Sequence, residues 1–350
     1  MRYTTFGTKT GLRVSEYVLG TANFGTRWPT GANADESKKM FQAFADAGGT
    51  FLDTADVYQF GESETLLGQF LAGERDNFVL ASKFTQGAVA GAGLMQTGNS
   101  RKNITRSLEA SLRRLNTDYL DVYWAHWPDF VTPVEEIVAT LDDLVRQGKI
   151  LHGGLSNFPA WRIARGATLA ELRGTSSLIG AQFEYSLAAR DGERELLPMA
   201  EGLGLGTVLY SPLGGGLLTG KYRTSDEGRL STMKSVIQRE DTDQKTAVVD
   251  AVLAVADETG DKPSQVAMAW LNQRARSSST AVLPIIGPRT MDQLDDYLTA
   301  LEVTLTDEQY DRLDKVSAPV LGIPHEGDHD SLDPVLGGTL ERFDRLGAVS

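Results

Sequence analysis

Along the chain, short apolar runs rich in β-branched and aromatic residues alternate with longer stretches of mixed polarity. "YVLGTAN" (17–23), "TFLDTADVY" (50–58), "NFVLASKF" (77–84), "YLDVYWAH" (119–126), "KILHGGLSN" (149–157), "LIGAQFEYS" (178–186), "LGTVLYSPL" (205–213) and "STAVLPIIG" (279–287) read as strands. They are mostly apolar rather than alternating, as strands buried on both faces must be. Between them, "SLEASLRRL" and "LDDLV" place Leu at the i, i+3/i+4 and i+7 spacing of amphipathic helices. Eight strand candidates, each followed by a helix candidate, predict parallel strands joined by right-handed crossovers. A doubly wound open sheet is the rival arrangement. The strand count favours a (β/α)8 TIM barrel, and so does "GTANFG" after the first strand, which is not the G-x-G-x-x-G phosphate fingerprint.

Three segments stand outside the repeat. "RYTTFGTKTGLRV", within residues 1–16, predicts an N-terminal β-hairpin closing the N-terminal end of the barrel. Residues 214–263 are too long for a simple connection and predict a mobile loop for cofactor or substrate. The tail, 318–350, is rich in Gly, Pro and acids, carries a short helical "LERFDRL", and is expected to extend over the barrel mouth. No linker interrupts the pattern, so residues 1–350 read as a single domain.

Composition narrows the function. Of 350 residues, 41% are hydrophobic and 23% charged, an ordinary globular balance. The net charge of -13 argues against nucleic acid and anionic membranes as partners. There is no cysteine, which excludes disulfides, thiolate catalysis and zinc–thiolate sites. No apolar run approaches the roughly 18 residues of a membrane span, and "MRYTTFGTKT" has no signal-peptide core. A cytoplasmic protein with a small-molecule substrate is the simplest expectation. Nothing in the pattern sets the oligomeric state.

In barrels of this kind chemistry sits at the C-terminal ends of the strands. Those ends carry Asp53, Asp56 and Tyr58, then Lys83, His126, Ser156 and Asn157, Gln182, Tyr210 and Ser211, with Arg289 after the last strand. Asp53, Tyr58, Lys83 and His126 form a coherent set. A tyrosine is a poor proton donor at neutral pH until a cation such as Lys83 favours its phenolate. Asp53 would balance the buried ammonium, and His126 could donate to a carbonyl oxygen. Taken singly, each residue is more often structural than catalytic; four on one rim are harder to dismiss. Metal ligation is a poor alternative, because the other histidines are His152 inside a strand and His325 and His329 in the tail.

With these residues in view, the sequence resembles the aldo-keto reductase family over roughly residues 2–317, in particular the branch that includes the potassium-channel β subunits. "GGTFLDTADVYQFGESETLLG" (48–68), "FVLASKF", "NITRSLEASLRRLNTDYLDVYWAHWPD" (103–129), "LHGGLSN", "AQFEYS", "YSPLGGGLLTGKY" and "VLPIIGPRTMDQLDDYLTAL" carry the resemblance in order. It implies a catalytic tetrad of Asp53, Tyr58, Lys83 and His126, with Tyr58 as general acid and His126 positioning the carbonyl. It implies NADPH, with NADH as the alternative, lying extended across the mouth. Ser156, Asn157 and Gln182 would hold the nicotinamide carboxamide, and Tyr210 would stack on its ring. Ser211, Leu213, Gly215 and Lys221 would line the pyrophosphate. Arg289 and Gln293 would meet the 2′-phosphate, with Asp296 near the adenine. Thr21, Pro212, Arg229 and Gly287 would also belong to the cofactor site. The sequence departs from the family at Ala22, where Trp is frequent, at Asp296, where Glu is common, and at Tyr297, where Asn is common.

Phe24, Trp28, Trp127, Phe130 and Phe158 are expected to form an aromatic substrate wall, suited to an apolar or ring-bearing carbonyl or alcohol. The implied activity is reversible, NADPH-dependent reduction of an aldehyde or ketone. A cofactor-binding regulatory or redox-sensing subunit is the alternative, and a barrel isomerase or hydrolase without nicotinamide a weaker third.

Overall fold

The computed structural model describes residues 1–224, 238–339 and 342. The barrel strands are β3 (Val18–Gly20), β4 (Phe51–Asp53), β5 (Val79–Phe84), β6 (Leu120–Ala125), β7 (Ile150–Ser156), β8 (Leu178–Glu184), β9 (Gly206–Tyr210) and β10 (Val282–Ile286). Each pairs in parallel with the next, and β10 pairs with β3, so the eight strands form the closed barrel expected from the sequence. The strands are shorter than the apolar runs that announce them. β4 ends at Asp53, and the rest of "TFLDTADVY" runs out of the sheet to carry Tyr58.

The helices between strands are α1 (Ala34–Asp46), α2 (Glu62–Phe70), α3 (Arg101–Leu115), α4 (Val134–Arg146), α5 (Ala160–Arg173) and α6 (Leu196–Leu203). They are followed by α7 (Asp243–Thr259), α8 (Pro263–Ser277), α9 (Met291–Thr299), α10 (Asp307–Ser317) and α11 (His325–Val335). Small polar caps set their starts: the side chains of Asn33, Ser100 and Thr290 accept from the amides of Glu36, Asn103 and Gln293.

Residues 214–263 are not one open loop. Helix α7 occupies 243–259 and buries Val248, Val249, Val252 and Val255 on one face. The tail also differs from expectation: α11 falls upstream of "LERFDRL", most of which lies outside the described residues. The tail is tied to the connection after β8, where Arg194 donates to the Val320 carbonyl at 2.6 Å and His325 pairs with Glu195 at 3.0 Å.

Strand alternation sorts the core into two parts. Leu52, Leu80, Phe84, Tyr123 and Ala125 point outward under the helices. Phe51, Val79, Ala81, Val122 and Trp124 point into the barrel, where Phe6 joins them. Phe6 comes from the turn between β1 (Tyr3–Thr5) and β2 (Arg13–Ser15), the antiparallel hairpin at the N-terminal end. It meets Phe51 and Trp124 edge-on at 5.6 and 6.3 Å, closing the barrel with a dry aromatic plug. A Cβ on Gly180 or Gly206 would approach the Phe6 ring to 2.7 or 2.5 Å, so these glycines make room for it.

Candidate active site

The same alternation aims Asp53, Lys83 and His126 into the mouth. Phe51 and Asp53 share one face of β4, Val79, Ala81 and Lys83 one face of β5, and Val122, Trp124 and His126 one face of β6 and the residue beyond it. All three polar residues are buried. Lys83 Nζ donates to the Asp53 carboxylate, to the Thr54 carbonyl at 2.8 Å and to the Tyr58 hydroxyl at 3.1 Å. Tyr58 is half-buried, and its ring meets that of His126 edge-on at a centroid distance of 5.8 Å. The four residues picked from strand ends therefore converge.

Electrostatics separates their charge states. Burial alone would drive the Lys83 ammonium down, but the Asp53 carboxylate and Tyr58 outweigh it and hold its pKa above the ordinary lysine value. The pair with Asp53 thus favours the charged form of Lys83 despite its burial. Burial, reinforced by that cation, pushes the His126 imidazole well below its usual 6.5. At neutral pH the ring is uncharged, and its buried Nδ1 has no hydrogen-bond partner among the described residues.

Several residues expected to hold a cofactor have partners inside the protein. Gln182 Nε2 donates to Asp53 Oδ1 at 3.0 Å, and Thr21 Oγ1 donates to the Asp53 carbonyl at 3.2 Å. Asn157 Nδ2 donates to the His126 carbonyl at 2.9 Å and to Ser156 Oγ at 3.1 Å, while its Oδ1 accepts from the Tyr210 hydroxyl at 2.8 Å. Asp296 accepts from Lys262 at 2.6 Å, and Gln293 Oε1 accepts from the Arg289 amide at 2.8 Å. The carbonyl of Gly287 accepts from Asn23 at 2.9 Å. Arg229 lies outside the described residues.

The remaining residues lie on a glycine-rich turn and at a helix start. After β9, Ser211 is left-handed (φ 57°), Pro212 and Leu213 follow, and Gly214, Gly215 and Gly216 are all left-handed. A Cβ at Gly216 would stand 2.9 Å from Lys221 Cε, so the bare backbone lies against a cationic side chain. Arg289 is exposed beside the N-terminus of α9, with no ion pair among the described residues.

The aromatic wall is only partly as expected. Trp28 meets Tyr58 edge-on at 6.0 Å, and Trp127 stacks on His126 at 6.0 Å while remaining 37% exposed. Phe130 is 79% exposed. Phe24 and Phe158 must be removed from the wall. Phe24 is fully buried against Phe70, and Phe158 lies buried under the Arg162 guanidinium. Both sit beside strand ends in sequence, but local packing turns their rings into the core.

Two features of the mouth carry no sequence signal that pattern alone resolves. Gln59 (φ 50°), Phe60 (φ 53°) and Gly61 (φ 84°) are three consecutive left-handed residues directly after Tyr58. A non-glycine residue there costs roughly 1–2 kcal/mol, which the surroundings must offset. The loop 85–100 is pinned to the segment after β6. Asn99 donates through its side chain to the Trp127 carbonyl at 2.8 Å, and Asp129 accepts from the Asn99 amide at 2.7 Å.

Parallel strands closed into a barrel, with polar groups gathered at the C-terminal mouth, define a (β/α)8 barrel enzyme. Residues 16–318 match the Aldo/keto reductase family, and the chain belongs to that family. It is accordingly an oxidoreductase of the NAD(P)H-dependent kind acting on carbonyl or alcohol groups. It is similar to the oxidoreductase YrpG of Bacillus subtilis, 37% identical across 88% of this chain and 93% of that protein. It is also similar to norsolorinic acid reductase stcV of Emericella nidulans, 35% identical across 90% of this chain and 81% of that one. Aryl-alcohol dehydrogenase [NADP(+)] of Phanerodontia chrysosporium is 33% identical across 90% and 86%. Among the described residues, no helix is long and apolar enough to cross a membrane.

Proposed function

We propose that this protein reduces a ring-bearing aldehyde or ketone to its alcohol, reversibly, with NADPH as cofactor and Tyr58 as proton donor. The observation that carries the reading is the Lys83 ammonium, 3.1 Å from the Tyr58 hydroxyl and paired with Asp53 on its other side. A cation so placed stabilises the phenolate that remains once the proton has left. Neutral His126 has one N–H to give, and it orients the carbonyl oxygen toward Tyr58 without competing as an acid.

NADPH, when bound, supplies the hydride to the carbonyl carbon. Ser211, Leu213, Gly215 and Lys221 would hold its pyrophosphate, and Arg289 its 2′-phosphate, for which a guanidinium fork is well shaped. Arg289 is the reason to prefer NADPH over NADH. Ser156 and Gln182 would meet the carboxamide through the hydroxyl proton and the Oε1 that their present bonds leave over, and Tyr210 would present its half-buried ring to the nicotinamide, with Asn157 beside it. The name of one fungal relative, an aryl-alcohol dehydrogenase, agrees with an aromatic substrate.

The reading is tested by following nicotinamide absorbance with NADPH and a panel of aryl and aliphatic aldehydes, and with NADP+ and the matching alcohols. Cofactor consumption with aryl aldehydes is expected. Tight cofactor binding without turnover on any of them would replace this reading with a regulatory one.

A further inference from the structure

The left-handed turn after Tyr58 has a side chain to account for. Gln59 is fully buried, yet it belongs to neither apolar core. Its Nε2 donates to the carbonyls of Ala22 and Thr30, both at 3.0 Å, and its Oε1 accepts from the Trp28 amide at 2.6 Å. One amide thus spans the connection between β3 and α1 at its beginning, middle and end. Neighbouring groups reinforce the join. Glu62 accepts from the Thr26 amide at 2.9 Å, and Arg27 donates to the Phe60 carbonyl at 3.1 Å. Gly25 and Gly31 lie so close to Gln59 that a Cβ would come within 2.9 Å of its Cγ and 3.1 Å of its Nε2. The result is that Trp28 stands against Tyr58 at 6.0 Å and against Phe60 at 6.3 Å.

We propose that Gln59 is a specificity-determining positioning residue, whose side-chain amide fixes Trp28 as a wall beside the Tyr58 hydroxyl and so selects ring-bearing carbonyl substrates over small aliphatic ones. The amide acts only through Trp28; it does not reach the reacting atoms. With Trp127 stacked on His126, an aromatic side chain stands beside each of the two residues that would meet the carbonyl. A flat ring is held there with its carbonyl at Tyr58, whereas a short alkyl chain gains nothing from the wall. The inference deepens the function proposed above and rests on it for the class of substrate.

Two variants separate the amide from the backbone it sits on. Gln59→Gly suits the left-handed turn but removes the amide; Gln59→Met keeps the volume and the strained backbone but has no amide. Both are expected to raise KM for benzaldehyde about tenfold, since a displaced Trp28 loses its contact with the bound ring. KM for propanal and kcat for both aldehydes should change little. An equal change for benzaldehyde and propanal in the variants overturns the proposal, and so does a change in Gln59→Met alone, which would implicate backbone strain. If Gln59→Met fails to fold, Gln59→Gly alone tests the amide; if Gln59→Gly fails, Gln59→Asn, which tolerates the left-handed turn but is too short to reach all three partners, replaces it. Benzoate binding, followed by tryptophan fluorescence, is a second measurement that needs no turnover. It should weaken in the Gln59 variants and in Trp28→Ala alike, and unchanged binding would overturn the proposal. If the wild-type protein reduces no aldehyde, the functional reading fails while benzoate binding still decides the role of Gln59.

Discussion

The two ends of the barrel solve opposite problems with the same alternation of side chains. At the N-terminal end an apolar cluster fills the barrel, with Phe6 set edge-on against Phe51 and Trp124 and glycines making room for the rings. At the C-terminal end the next inward positions hold a carboxylate, an ammonium and an imidazole, and the chain beyond them turns left-handed at Gln59, Phe60, Asn157 and Ser211. One end lowers the free energy of the fold; the other holds charges and strained turns that the first must support. The lesson is that stability and chemistry are divided along the strands, within a few residues of each other.

The sharpest test of that division is Tyr58→Phe. Loss of the acid should lower the reduction rate by roughly 10²–10⁴-fold while NADPH affinity and melting temperature stay near wild type. Retained turnover would remove Tyr58 from proton transfer. At the opposite end, Phe6→Ala should cost about 3–5 kcal/mol of stability by denaturant unfolding, through the cavity it leaves, with kcat little changed. A large loss of kcat in folded Phe6→Ala would show that the two ends are not separable.

Asp56 is a charge on the wrong side of this division. It is buried behind the mouth, its Oδ1 has no hydrogen-bond partner among the described residues, and burial, helped by Glu64, raises its pKa to about 7 from 3.8. Because the folded value lies above the unfolded one, the folded state keeps its proton longer. The contribution of Asp56 to stability is therefore fully present below about pH 4 and is lost as pH rises toward 7. Asp56→Asn removes that slope. Its stability advantage over wild type should therefore grow by roughly 2–3 kcal/mol between pH 5 and pH 8. An advantage that does not change with pH would rule out this ionisation. The smallest effect is expected at the rim, where Arg289→Ala should weaken NADPH by about tenfold and NADH hardly at all. Equal losses for both cofactors would detach Arg289 from the 2′-phosphate.

How much of this was legible in the sequence follows the same line. Inward and outward positions on a strand are a matter of period two, so the barrel and the convergence of Asp53, Lys83 and His126 could be read from spacing. Tyr58 could be read because it follows Asp53 on a strand known to end nearby. Helix α7 was hidden because "AVVDAVLAV" is rich in Val and sits after a long Gly-containing stretch, where no strand marks its start. Phe24 and Phe158 were misread because an aromatic residue near a strand end looks the same whether its ring turns in or out. Gln59 was invisible for a different reason. Its conformation is imposed by three partners spread over residues 22–30, and no local pattern marks a glutamine that stands where a glycine would be easier.

The floor of the site holds a last consequence. Trp124 pairs in register with Lys83 on one side and Gly154 on the other, and a Cβ on Gly154 would come within 2.2 Å of its indole. Gly180 presses on the same indole from β8, where a Cβ would stand 2.9 Å away. Two missing methyl groups therefore make room for the Trp124 indole, and a methyl group at either position would press directly on a ring below the mouth without touching a single reacting group.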